Sequence, residues 1–190
     1  EFLEQRRESA QILREALDEA GILLELYEGV EVALNEDVFY ALDFDGLTIN
    51  NSRYILCEFF DGISLSKKIV DYLGEIKKAG LTPIIAHAEY IGLVQEDIDL
   101  LYDLKNDFGA KIQINAQSLC VNNSYPHHKA AVRIIKKNLA DFIATDTHNM
   151  TDRNNNILEM IENFVIEIDY DYLDQLLNIN PQMVLDNKKF

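Results

Sequence analysis

Short aliphatic runs alternate with longer amphipathic segments along this chain, and that alternation limits its fold more than any other feature. Strands are predicted over 26–33, 54–60, 83–87, 111–115 and 141–146, each short and rich in Ile, Val, Leu or Phe. Helices are predicted over 1–20, 64–79, 95–108, 129–138, 155–163 and 170–178, with Pro181 opening a final turn. In the 64–79 segment Leu65, Ile69, Tyr72, Leu73 and Ile76 fall on one face, and Gly80 stops it. Turns are expected at Asn35-Glu36-Asp37 and at Asp45-Gly46. Strands separated by helices need crossover connections, so they pair in parallel. The class is α/β, laid out either as an open doubly wound sheet or as a closed barrel. No glycine-rich phosphate loop follows any strand, which argues against a nucleotide-binding open sheet. There is no repeat, low-complexity segment or linker, so one domain over 1–190 is expected.

Charge narrows the partners. Thirty-three acidic against 17 basic residues give a net charge of -16. Nucleic acids and anionic membranes need a positive surface and are disfavoured. A phosphate substrate remains open, because bound divalent cations reverse the local potential. No apolar run approaches the ~20 residues of a bilayer span, and Glu1-Phe2-Leu3-Glu4-Gln5-Arg6-Arg7 is no signal region. A cytoplasmic protein without membrane insertion is expected. Cys57 and Cys120 form neither a zinc-type pair nor a disulfide framework, and both are expected as buried thiols. A cysteine phosphatase needs Cys-x5-Arg, but Ile63 and Pro126 stand where the arginines would be.

Metal-capable residues recur at or near the strand ends. Glu31 lies in the first strand and Glu58 in the second. His87 ends the third, Asn115 the fourth and Asp146 the fifth, with His148 two positions on. In an extended chain, residues two apart share a side, so Asp146 and His148 are expected to act together. Parallel strands deliver their C-terminal ends to one face. Carboxylate oxygens and imidazole nitrogens gathered there suit Mn, Fe or Zn. Two or three such ions can clamp a phosphate and activate a water. His127 and His128 are expected as loop histidines before a helix.

Three blocks carry a resemblance: Ile84-Ile85-Ala86-His87-Ala88-Glu89-Tyr90, Ile112-Gln113-Ile114-Asn115-Ala116-Gln117-Ser118-Leu119, and Asp141-Phe142-Ile143-Ala144-Thr145-Asp146-Thr147-His148-Asn149. Gly29-Val30-Glu31-Val32 and Tyr54-Ile55-Leu56-Cys57-Glu58 precede them in matching order. Together they resemble the bacterial tyrosine-protein phosphatases of the polymerase-and-histidinol-phosphatase (PHP) superfamily, which act in capsule and exopolysaccharide synthesis. The resemblance implies a distorted, TIM-like (β/α)7 barrel with a cluster of divalent ions, usually manganese. It implies Glu31, Glu58, His87, Asp146 and His148 as metal ligands, and Arg153 as the catalytic residue that binds phosphate. Its substrate would be a tyrosine-phosphorylated protein, a bacterial tyrosine kinase, and a homo-oligomer is expected. The family opens with a His-x-His strand, expected ahead of Glu1, so the first strand-helix units are missing from the barrel as given. Tyr90 stands where the family usually has arginine. Two alternatives remain: a phosphoesterase for a small molecule such as histidinol phosphate, or a non-catalytic homologue that only binds.

Overall fold

A computed structural model describes residues 2–34, 44–59, 65–120, 125–151 and 153–190, apart from the side chains of 65–67. Five short strands form its centre: β1 (Glu31–Leu34), β2 (Tyr54–Phe59), β3 (Thr82–Ile85), β4 (Lys111–Asn115) and β5 (Phe142–Ala144). All four pairings are parallel, and strand order follows chain order from β1 to β5. Every crossover therefore steps the same way. A doubly wound sheet requires a reversal of that order, and none occurs among the described residues.

Residue alternation gives the sheet two faces. Cys57, Ile85, Ile112, Ile114 and Ile143 belong to the main core. Ile69, Tyr72, Leu73 and Ile76 of α2 (Leu65–Lys78) pack into the same core. So do Val94 of α3 (Gly92–Glu96) and Leu101 and Leu104 of α4 (Leu100–Phe108). Ala131, Ile134 and Ile135 of α5 (Pro126–Lys136) complete it. A smaller cluster of Tyr54, Ile84, Phe142 and Val184 gathers with Leu56 and Ile49. Val184 comes from α8 (Asn180–Leu185), which follows α6 (Ile157–Glu162), α7 (Tyr170–Asp174) and a π-helical turn at Gln175–Ile179. α1 (Phe2–Glu19) buries no residue. It is fastened by charge, with Arg6 3.3 Å and Arg14 2.9 Å from the Glu28 carboxylate. No described helix is long and apolar enough to cross a membrane.

Several expected bounds move for identifiable reasons. Only the end of 26–33 is strand, because the preceding carbonyls have other partners. Leu26 O accepts from Arg14, and Glu28 O from the Asn50 amide at 2.7 Å. The helix expected over 95–108 is two helices, broken where Asp97 is extended at φ -131°, ψ 102°. β3 stops before His87, and β5 before Asp146, because both residues have positive φ, 33° and 53°. His127 and His128 lie in the first turn of α5 rather than before it, since Pro126 starts the helix early. Cys57 is buried, but Cys120 is only partly so. The turn at 35–37, Phe60, the helix start at Ser64 and the Leu65 side chain lie outside the described residues.

Candidate metal centre

Glu31 opens β1 and Glu58 is the penultimate residue of β2. The parallel register sets Glu31 beside Leu56 and Ala33 beside Glu58, so the two glutamates stand two steps apart on one face. His87 follows β3 in a left-handed conformation, φ 33° and ψ 52°. That conformation costs a non-glycine residue roughly 1–3 kcal/mol. It is held by the His87 amide, which donates to Gln113 Oε1 at 2.7 Å. His87 Nε2 lies 3.1 Å from Glu31 Oε1 and 3.2 Å from Glu58 Oε1. Ligand atoms of these three residues all fall within 4.8 Å of one another, the separation one ion can bridge. Burial opposes charging of His87. The hydrogen bond to Glu31 and the charges of Glu31, Glu58 and Glu89 outweigh it and raise its pKa. A proton and a metal ion would compete for the same nitrogen.

A second cluster adjoins the first. Asp146 Oδ2 accepts from Asn115 Nδ2 at 2.9 Å and from the Arg153 guanidinium. Asn115 Oδ1 in turn accepts from Gln113 Nε2 at 2.9 Å. Gln113 and Asn115 of β4 therefore link the backbone of His87 to the carboxylate of Asp146. Arg153 is aimed by a closed loop. Its carbonyl accepts from the amides of His148 and Asn149, and its amide donates to Asn149 Oδ1 at 3.1 Å. His148 is exposed, with Nδ1 2.8 Å from the Asp146 carbonyl and 3.5 Å from Asp146 Oδ1. The turn at Asp146 breaks the extended alternation expected from 146 to 148. Asp146 and His148 thus stay close to each other, but neither belongs to the Glu31–Glu58–His87 group.

Beneath both clusters lies Glu89, fully buried. Its Oε1 accepts from the Asn115 amide at 2.9 Å and from Ser118 Oγ at 2.7 Å. Oε2 has no hydrogen-bond partner among the described residues. Burial pushes its pKa up to about 7 against those hydrogen bonds. Glu58, His87, Tyr90, Asn115, Asp146 and Arg153 line one cavity of about 540 Å³. Glu89, Gln113, Tyr90 and Asn149 are parts of this site that strand-end reasoning passed over. Gln113 carried a signal, a polar residue between Ile112 and Ile114 in a buried strand, and Tyr90 carried one through the resemblance, where it replaces an arginine.

The family model described as capsular polysaccharide synthesis, CpsB/CapC, matches residues 1–186. The chain belongs to the CpsB/CapC family. CapC of Staphylococcus aureus is 32% identical over 173 residues, covering 87% of this chain and 64% of that protein. Tyrosine-protein phosphatase YwqE of Bacillus subtilis (strain 168) is 30% identical over 185 residues, covering 96% of this chain and 71% of YwqE. A structure solved in work on YwqE from Bacillus subtilis and CpsB from Streptococcus pneumoniae superimposes with a TM-score of 0.83. It is 28% identical, over 97% of this chain and 74% of that one. Those two proteins are described as metal-dependent tyrosine phosphatases. This CpsB/CapC chain thus spans a little under two thirds of the Staphylococcus aureus relative and shares the α/β architecture of the solved one.

Proposed function

We propose that this chain carries the active face of a manganese-dependent protein-tyrosine phosphatase acting in capsule or exopolysaccharide synthesis. Its substrate would be a tyrosine-phosphorylated bacterial kinase, met in the cytoplasm. One observation carries this reading: Glu58 and His87 of a two-carboxylate, one-imidazole donor set line one cavity together with the Arg153–Asp146 pair, and Glu31 completes the set from beside it. Glu31, Glu58 and His87 would hold one divalent ion, and Asp146 and His148 would help to hold another. The donor chemistry suits manganese. When bound, such ions supply Lewis-acid charge and make a coordinated water acidic.

The chain's own groups do the positioning. Arg153 offers its planar fork to phosphoryl oxygens and is held ready by Asp146 until they arrive. Asn115 and Gln113 fix the relative placement of Asp146 and His87. Strand order equal to chain order supports a single domain over 1–190 built as the wall of a distorted (β/α)7 barrel. The outer edges of β1 and β5 have no strand partner among the described residues, which supports self-association.

The test is turnover with manganese supplied, comparing a phosphotyrosine peptide with histidinol phosphate. Preferential hydrolysis of the peptide is expected. Faster turnover of histidinol phosphate would reassign the substrate. No turnover of either, with one ion or none per chain, would make this a binding protein. Light scattering checks the oligomer.

A further inference from the structure

Three rings stack away from the metal centre at nearly parallel angles. Tyr90 and His127 have centroids 4.5 Å apart with planes inclined by 13°. His127 and Tyr125 follow at 5.8 Å and 10°. At the inner end Tyr90 stands edge-on to His87, at 6.0 Å and 88°. Tyr90 borders the cavity shared by His87, Asp146 and Arg153, whereas His127 does not. The part of Tyr90 that meets the cavity is therefore not the face covered by His127. Tyr90 is 44% exposed, so the ring is not core filler. Burial and the neighbouring His128 lower the pKa of His127, which leaves a neutral partner for the stack at neutral pH.

From these contacts we infer that Tyr90, backed by His127, is the specificity-determining surface for the organic half of the substrate, selecting aryl over alkyl phosphate esters. The inference rests on the phosphatase reading above. The cavity is polar where Asp146 and Arg153 lie and aromatic where Tyr90 lies. A phosphate ester bound with its phosphoryl group at the polar end sends its ester carbon towards Tyr90. An aryl ring there gains an offset or edge-to-face contact, and a small alkyl group gains almost nothing. The stack also restrains Tyr90 before binding, so less side-chain freedom is lost when substrate arrives. Tyr90 is in this role a positioning and selecting residue that contacts the leaving group, not the phosphorus.

Calorimetry with two non-hydrolysable probes tests this without turnover. Phenylphosphonate and methylphosphonate present the same phosphoryl group with and without a ring. In manganese-containing buffer, the protein should bind phenylphosphonate roughly tenfold more tightly. Tyr90→Ala should bring that ratio close to one, and Tyr90→Phe should keep it, because the ring and not the hydroxyl makes the contact. Equal binding of the two probes, or an unchanged ratio in Tyr90→Ala, would overturn the inference and leave the phosphatase reading standing. Collapse of the ratio in Tyr90→Phe would assign the effect to the hydroxyl and also overturn it. Binding of neither probe would overturn both.

Discussion

Asp146 accepts from Asn115 and from Arg153 through the same oxygen, Oδ2, while its backbone turns at φ 53° to end the strand. If its carboxylate also serves an ion, Asp146→Ala should lower metal content and cut phosphotyrosine turnover by roughly a thousandfold, about 4 kcal/mol. Arg153→Ala should keep the metal and weaken substrate binding and turnover instead. Elemental analysis beside steady-state kinetics separates the two, and loss of metal in Arg153→Ala would make the arginine a support for the site. The two thiols differ as well. Cys57 is 0% exposed, and burial, with the Glu31 charge adding, pushes its pKa up to about 12. Cys120 is only partly buried. An alkylating reagent at pH 8 should modify Cys120 alone in the folded protein and reach Cys57 only after denaturation, as mass spectrometry would show.

Among the strands, β4 has the most to hold. Its start is tied to β5 through Asp141, whose Oδ2 accepts from the Ile112 amide at 2.9 Å and from Lys105 Nζ at 2.6 Å. Asp141→Ala would strand the buried Ile112 amide and leave the Lys105 ammonium with only the Leu139 carbonyl as a partner, so it should cost roughly 1–3 kcal/mol, read as a lower urea midpoint. The strand centres were legible from aliphatic runs such as Ile112 and Ile114, because each had to reach a core. Glu58 and Asn115 do stand near the ends of their strands, whereas Glu31 opens β1. The ends themselves were less legible. His87 and Asp146 look like last strand residues, yet both turn out of the extended region, held by Gln113 and by Asn115 with Arg153. Their partners are 26 and 31 residues away, with Arg153 seven away, and local periodicity carries no information at the longer separations. Glu89 was hidden for a related reason: a carboxylate whose Oε1 accepts from Asn115 and Ser118 looks like any surface glutamate until the chain closes.

For the molecule as a whole, metal and stability should be coupled, since a native-only site stabilises the fold that forms it. Manganese at 100 times its dissociation constant should add about 2.7 kcal/mol, and so raise the melting temperature by about 5–10 °C. Glu31→Gln combined with Glu58→Gln should abolish the shift in a thermal scan, while an equal shift in that variant would place the ion elsewhere. The order of the donors along the chain has one more consequence. Each strand, or the turn just after it, brings its contribution in sequence: Glu31, Glu58, His87, Asn115, then Asp146 with Arg153 behind it. A ribosome delivers them in that order too, and domains begin to fold while the rest is still being made. A nascent chain halted before Arg153 has emerged would already hold the glutamates and the histidine, but not the group proposed to grip phosphate. Synthesis itself would then keep the proposed phosphatase silent, and a stalled or prematurely terminated product would lack the arginine proposed to bind phosphate.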